Sequence, residues 1–69
     1  MKQIRRMANA ELLEARKNAG VYQWEIADRL NLSEAYLSRA LRHEFSEAKK
    51  QEYLAAINAV LEERGKNDF

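Results

Sequence analysis

The sequence lacks features that whole classes of protein require. No cysteine occurs among its 69 residues, which excludes a disulfide framework, a thiolate zinc site and a thiol nucleophile. No run approaches the roughly 20 consecutive apolar residues of a membrane span, and the N-terminal residues do not follow a signal-peptide pattern. A chain this short forms one small domain and little more. We therefore exclude secreted mini-proteins, membrane proteins and multidomain enzymes, and expect a cytoplasmic protein.

Residues that interrupt helices are also scarce. Proline is absent, and glycine occurs only at Gly20 and Gly65. Ala, Leu, Glu, Lys, Arg and Gln dominate the composition, and all of them favour helices. No segment alternates apolar and polar residues over the length of a strand. The sequence therefore predicts an all-α fold.

Capping residues and apolar spacing divide the chain into four helices. Asn9, Ser33 and Ser46 are the expected N-caps, because their side chains can accept hydrogen bonds from the amides of a first helical turn. Gly20 and Gly65 are expected to end helices by adopting the left-handed conformation. The predicted single domain spans residues 9–64, and its helices cover about 9–19, 22–30, 33–43 and 46–64.

Apolar residues at helical spacing form the candidate core. A core this small leaves only about 3–5 kcal/mol of stability, so we expect a partner subunit to support the fold. Part of the apolar stripe of the fourth helix is a candidate dimer seam. The expected inward residues are Leu12, Leu13, Ala15, Ala19, Ile26, Ala27, Leu30, Leu32, Leu37, Leu41, Tyr53, Leu54, Ile57, Val60 and Leu61.

Charge is distributed unevenly along the chain. The net charge is only +1, yet residues 1–8 carry three basic residues and no acid, while the other 61 residues carry nine basic and eleven acidic residues. We expect residues 1–8 to form a flexible basic arm and residues 65–69 a frayed tail. Arg5 and Arg6 are candidate contacts to DNA phosphates, since such arms can follow the backbone or enter the minor groove.

The most informative segment is QWEIADRLNLSEAYLSRALR, residues 23–42. It predicts two short helices joined by about three residues, and Asn31 in the link is one of the few residue types that tolerate a positive φ. So brief a link makes the two helices cross steeply, and a close crossing requires a small side chain such as Ala27 at its centre. This is the arrangement of a helix-turn-helix, whose second helix enters the DNA major groove.

Residues 12–42 resemble the XRE/Cro-type phage-repressor family. The resemblance is carried by Arg16, AGV at 19–21, Gln23, IA at 26–27, Leu30, Leu32-Ser33 and YLSR at 36–39. With one long helix after the recognition helix, the chain is similar to short repressor-like proteins of Gram-positive mobile elements. Asn31 stands where the family usually has glycine. Ala40 and Leu41 stand where the family usually has Ile or Val followed by Glu. The resemblance implies a four-helix, lambda-repressor-like domain.

Helical periodicity indicates which side chains of the third helix face outward. With Leu37 and Leu41 directed inward, the opposite face carries the candidate base contacts. Arginine can bond guanine in a bidentate manner, serine can bond either kind of base edge, and alanine can pack on a thymine methyl group. Glutamate at the helix tip can accept from a cytosine amino group or repel phosphate. The candidate base-contacting residues are Glu34, Ala35, Ser38 and Arg39.

Further residues are candidates for phosphate contacts. Arg42 lies on the same face and Tyr36 on its flank, and both are expected to hold the DNA backbone. Gln23 resembles the family's glutamine that bonds phosphate and braces the recognition helix. The alternative for Arg39 and Arg42 is an ordinary solvated charge, which for Arg42 complements a helix C-terminus. Trp24 is expected to pack on the fourth helix or on the arm, with an exposed partner interface as the alternative.

Two functions remain open, and a third is rejected. The leading hypothesis is sequence-specific binding of double-stranded DNA by a homodimeric transcriptional regulator, a repressor of a phage or mobile element. The alternative is a protein-interaction module, anti-repressor or antitoxin-like, that keeps the fold without reading DNA. An enzyme is not expected, because the single histidine and the scattered carboxylates form no nucleophile–base pair. We expect no cofactor, no metal and no small-molecule substrate.

Overall fold

The computed structural model describes residues 8–67, which form four helices and no strand. The predicted all-α class is therefore confirmed. Within this part of the chain, no helix is both long enough and apolar enough to cross a membrane. The helices are α1 (Ala10–Ala19), α2 (Gln23–Arg29), α3 (Glu34–Ala40) and α4 (Glu47–Asn67).

Three of the predicted helix signals act as expected. Gly20 adopts φ 70° directly after α1, and its amide donates to the carbonyl of Lys17. Asn31 adopts φ 62° after α2, which turns the chain sharply. The Ser33 hydroxyl then accepts a hydrogen bond of 3.1 Å from the amide of Tyr36 and caps α3. Local capping therefore fixes the two ends of the α2–α3 link.

The ends of α3 and α4 differ from the prediction. Helix α3 ends at Ala40 instead of His43. The amides of Arg42 and His43 donate to the carbonyls of Arg39 and Ala40, three residues back, so the chain forms a tighter turn there and does not continue the four-residue spacing of an α-helix. Helix α4 passes through Gly65 and continues to Asn67 instead of ending at 64. Glycine permits a left-handed stop but does not impose one, and Gly65 lacks the positive φ that Gly20 has. The part of the predicted frayed tail at 65–67 is therefore helical.

Asn9 precedes α1 as expected, but its side chain does not cap that helix. The residue adopts φ 58° and makes no side-chain bond to the first turn of α1. Its side chain instead bonds the backbone of residues 41–45, between α3 and α4. Buried polar groups must find partners, and those for Asn9 are long-range.

The core lies where α1, α2 and α4 meet, with α3 packed on α2. Most of the predicted inward residues are buried, but Leu32 is 37% exposed and Leu61 is 38% exposed. Leu32 lies in the α2–α3 link and Leu61 in the last turns of α4, where fewer elements surround the chain. The fully formed core consists of Leu12, Val21, Ile26, Ala27, Leu37, Leu41, Tyr53, Ala56, Ile57 and Val60.

Ion pairs connect α4 to the first half of the chain. Arg64 binds the Glu25 carboxylate at 2.6 Å and the carbonyl of Gly20 at 2.9 Å. Arg29 pairs with Glu63 at 3.2 Å. Glu25 and Arg29 are four residues apart in α2, yet both pair with α4 instead of with each other. Helix α4 therefore binds α2 through charge as well as through apolar packing, and α3 remains outside this contact.

Candidate nucleic-acid interface

Helix α3 presents one face to the core and the other to solvent. Leu37 is 1% exposed and Leu41 is 7% exposed, so the prediction that these two leucines direct α3 inward is confirmed. Because successive helical residues are rotated by about 100°, Ala35, Ser38 and Arg39 lie on the side away from these leucines, and Glu34 lies at the N-terminal tip of the helix. All four candidate base-contacting residues are exposed, and they are Glu34, Ala35, Ser38 and Arg39.

A hydrogen bond joins the beginning of α2 to the outer face of α3. The Gln23 amide group donates to the Ser38 hydroxyl at 2.9 Å. Both side chains retain further hydrogen-bonding capacity, since an amide carries a second N–H and a carbonyl oxygen and the hydroxyl keeps its own proton. Gln23 therefore orients Ser38 while both residues remain able to bond a ligand.

The arginines of this surface carry charge that the described protein does not neutralise. Arg39 and Arg42 are exposed and form no ion pair with any residue between 8 and 67. By contrast, Arg29, Lys50 and Arg64 each pair with a glutamate. The unpaired guanidinium groups are thus available to an external anion.

A groove of about 410 Å³ lies beside this face, and Arg42 and Gln23 are part of its wall. Ala8, the first described residue, also borders it, together with Leu13, Ser38 and Leu41. Ala8, the last residue of the predicted basic arm, therefore lies near Ser38 and Arg42. Arg5 and Arg6, the two candidate phosphate contacts of the arm, lie outside the described residues.

The exposed aromatic residues extend beyond the predicted set. Tyr36, a candidate phosphate contact, is 50% exposed, and Tyr22, which sequence reasoning did not single out, is 63% exposed next to Gln23. No local pattern in the sequence marks Tyr22. Trp24 is 54% exposed although it borders a second groove, of about 660 Å³, together with Val60 and Gly65 of α4. Trp24 is therefore more exposed than the expected packing on α4 would leave it.

An ion-pair cluster lies behind the C-terminal end of α3. Lys50 binds the carboxylates of Glu11 and Glu44, each at 2.6 Å, and Glu44 also accepts the amide N–H of Asn9 at 2.9 Å. The bond from Lys50 is the main cause that lowers the pKa of Glu44, and the Asn9 amide adds to it. The bonds to Glu11 and Glu44 raise the pKa of Lys50. Glu44 and Lys50 are therefore both charged near neutral pH.

Two further observations concern the described residues outside the α3 surface. No group of three or more histidine, aspartate and glutamate side chains between residues 8 and 67 is arranged to hold a metal ion. Burial raises the pKa of Tyr53, and the neighbouring Arg16 opposes that rise. No protein-family model, curated protein sequence or solved structure matches this chain. The α3 surface is therefore the feature from which a function can be inferred.

Proposed function

We propose that this protein binds double-stranded DNA sequence-specifically by inserting α3 into the major groove. The observation that carries the proposal is the outer face of α3, where Arg39 is exposed and unpaired among the described residues while Leu37 and Leu41 hold the helix to the core. An α-helix fits the major groove of B-DNA, and arginine is the commonest residue that specifies guanine. This surface therefore combines an exposed helix that can contact base edges with a positive charge that the described residues do not neutralise.

The arrangement of α2 and α3 supports a helix-turn-helix of the XRE/Cro type. The two helices are seven residues each and are linked by residues 30–33. The left-handed Asn31 and the cap by Ser33 separate them sharply, and the two helices pack on each other. The contact of Gln23 with Ser38 corresponds to the bracing role that the family resemblance implies for this glutamine.

The proposed contacts are of two kinds, contacts to base edges and contacts to phosphates. Ala35, Ser38 and Arg39 face base edges from the outer side of α3, and Glu34 does so from the N-terminal tip of the helix. Gln23, Tyr36 and Arg42 flank that face and bind phosphates, as do Arg5 and Arg6 of the arm. Phosphate contacts fix the register of a protein on DNA, and base contacts specify the sequence.

The weak net charge favours a homodimer. A single copy neutralises few phosphates, so specific affinity requires two copies on half-sites about 34 Å apart, one helical turn of DNA. A small dimer of this kind is suited to transcriptional regulation, and we propose a repressor of a phage or mobile element acting in the bacterial cytoplasm. Under this proposal it needs no cofactor.

Selection of bound duplexes from a random library tests the proposal directly. We expect an enriched palindromic motif, because a two-fold symmetric dimer reads the same sequence twice. Arg39→Ala is expected to weaken binding to that motif by at least tenfold and to relax the base preference at one position of each half-site, since a bidentate guanine contact is lost. Lys17→Ala, which removes the same charge from α1, is the matched control.

Salt dependence reports the number of phosphates contacted, and comparison of different duplexes reports sequence reading. The logarithm of the binding constant should fall linearly with the logarithm of the salt concentration, with a slope of about −0.9 per phosphate contacted. Equal binding to every duplex, or an effect of Lys17→Ala as large as that of Arg39→Ala, would contradict sequence reading by α3.

The exposed Trp24 favours a second candidate function, a protein-interaction module. Tryptophan is enriched at protein interfaces, and Trp24 is 54% exposed beside a groove between α2 and α4. For this alternative we expect no shift of any duplex at low salt, and a stoichiometric protein complex that Trp24→Ser disrupts and Arg39→Ala does not. Binding of a selected duplex by the Trp24→Ser variant with unchanged affinity would favour DNA recognition instead.

A further inference from the structure

Asn9 is a buried polar residue whose side chain is devoted to a distant part of the backbone. Its amide nitrogen donates to the carbonyls of Leu41 at 2.9 Å and His43 at 2.8 Å. Its side-chain oxygen accepts from the amide of Phe45 at 2.8 Å. The residue is fully buried and adopts φ 58°. Three directional bonds thus hold the segment 41–45, directly after α3, against the start of α1.

An asparagine is not needed at this position for packing or for capping α1. Its side chain makes no bond to α1, and its φ of 58° is strained for most residues, although asparagine tolerates it better than most. Such a conformation persists only where the surroundings hold it. A second contact does so, because the Asn9 amide donates to Glu44 and Glu44 pairs with Lys50. The Asn9 side chain therefore bonds the segment between α3 and α4 instead of α1.

We propose that Asn9 is a positioning residue for DNA binding, which sets where Arg42 and the last turn of α3 lie relative to the duplex. The inference depends on the proposed function of α3. Arg42 stands between Leu41 and His43, and the carbonyls of both neighbours are bonded by the same Asn9 side chain. The backbone on each side of Arg42 is therefore fixed, while its guanidinium group is exposed.

Directional bonds are needed here because α3 is short. It has seven residues, and its inward contacts through Leu37 and Leu41 are apolar. Apolar contacts have no directional preference, so they hold the helix to the core without defining its rotation or its slide along the axis. Hydrogen bonds weaken steeply when they are misaligned. Asn9 therefore supplies the constraint that the leucines do not.

Asn9→Gly is the informative variant, because glycine accepts φ 58° and removes all three side-chain bonds. Binding is measured on the selected duplex at a temperature where circular dichroism shows the variant fully folded. We expect about tenfold weaker binding and a salt slope smaller by about 0.9, which corresponds to one lost phosphate contact. Val60→Ala lowers stability from the opposite end of the core and is expected to change neither quantity.

A double-substitution cycle tests whether Asn9 acts through Arg42. If it does, Asn9→Gly weakens binding much less in an Arg42→Ala background than in the wild type, because the contact is already absent. In a Lys17→Ala background, by contrast, Asn9→Gly should weaken binding as much as it does in the wild type, so that the two effects on the binding free energy add. Additivity with both, or a salt slope unchanged by Asn9→Gly, would overturn the positioning role.

Amide hydrogen exchange without DNA separates this inference from the proposed function. Asn9→Gly should speed exchange at Phe45, whose amide loses its acceptor, and near Arg42, whereas Val60→Ala should not. If Asn9→Gly does not fold, Glu44→Ala removes the acceptor of the Asn9 amide together with one carboxylate partner of Lys50, keeps the three Asn9 side-chain bonds, and should act in the same direction, but less. Unchanged exchange near Arg42 would overturn the inference, whereas faster exchange in a protein that selects no duplex would refute only its DNA-binding premise.

Discussion

At the scale of single residues, the Tyr53 hydroxyl is a buried polar group that lacks a hydrogen-bond partner of good geometry among residues 8–67. Tyr53 is fully buried, and the Nε atom of the neighbouring Arg16 is likewise buried without a partner in this part of the chain. An unpaired buried polar group costs about 1–3 kcal/mol. We therefore predict that Tyr53→Phe raises the free energy of unfolding by about 1 kcal/mol, measured by urea denaturation.

The ring of Tyr53 must be distinguished from its hydroxyl. It contacts Phe45 edge-on, with ring centroids 6.4 Å apart, and phenylalanine preserves that contact. Tyr53→Leu removes the aromatic contact together with the hydroxyl and is expected to lower stability. A loss of stability in Tyr53→Phe itself would mean that the hydroxyl interacts favourably with Arg16 in solution.

Residue roles were predictable where they depend on neighbours in the chain. Ser33 and Gly20 were predicted correctly because capping involves residues three or four positions away. Asn9 has the same kind of sequence signature, but its partners lie 32–36 residues further along the chain. No local pattern reports a bond over that separation. The exposure of Arg39 was predicted because helical periodicity alone places it opposite Leu37 and Leu41.

At the scale of helices, the two glycines have opposite roles and allow a paired prediction. Gly20 has φ 70°, which alanine adopts only with strain, whereas Gly65 lies inside α4, where an added Cβ would meet no atom within 4 Å. We predict that Gly20→Ala lowers the free energy of unfolding by about 1 kcal/mol and that Gly65→Ala raises it by about 0.5 kcal/mol. Thermal melting followed by circular dichroism measures both changes. A destabilising Gly65→Ala would restore the helix end that the sequence predicted at residue 64.

The α2–α3 link provides a second prediction at this scale. Asn31 adopts φ 62°, and asparagine tolerates this conformation better than most residues. Asn31→Ala should lower the free energy of unfolding by about 1 kcal/mol, whereas Asn31→Gly should change it by less than about 0.5 kcal/mol. Chemical denaturation of the three proteins tests the order. Equal stability of the alanine and glycine variants would show that the link does not depend on a left-handed residue.

Helix existence was easier to predict than helix ends. All four helices were expected from composition and apolar spacing, and their starts agree with the structure within about one residue. The end of α3 could not be predicted, because it coincides with the segment that Asn9 bonds from the other side of the fold. The exposure of Leu61 was missed for a related reason. A periodic stripe shows which face is apolar, but it does not show where the neighbouring helices stop.

At the scale of the whole molecule, one charged cluster ties together α1, the α3–α4 segment and α4. Lys50 bonds both Glu11 and Glu44, and Glu44 accepts the amide of Asn9. The segment behind the proposed DNA-binding face is thus held by groups from three parts of the fold. Stability that depends on this cluster must vary with pH, because its members titrate.

The direction of the pH dependence follows from the two pKa shifts. Folding lowers the pKa of Glu44 from 4.5, so its contribution is present above that pH and is lost as the pH falls through the lower folded value. Folding raises the pKa of Lys50 above 10.5, so its contribution is present below that pH and is lost only as the pH rises through the higher folded value. The cluster should therefore stabilise the fold throughout the range between these limits.

Glu44→Gln tests this dependence on the intact chain. We predict a lower melting temperature than the wild type at pH 7, because glutamine cannot replace the charged partner of Lys50. The difference should shrink as the pH falls below 4.5, where the wild-type carboxylate becomes protonated and loses the same interaction. Glu52→Gln, which removes an exposed carboxylate of α4 outside the cluster, should show no such convergence. A difference between Glu44→Gln and wild type that stays constant from pH 7 to pH 3 would mean that Glu44 contributes through packing or neutral hydrogen bonds instead of through its charge.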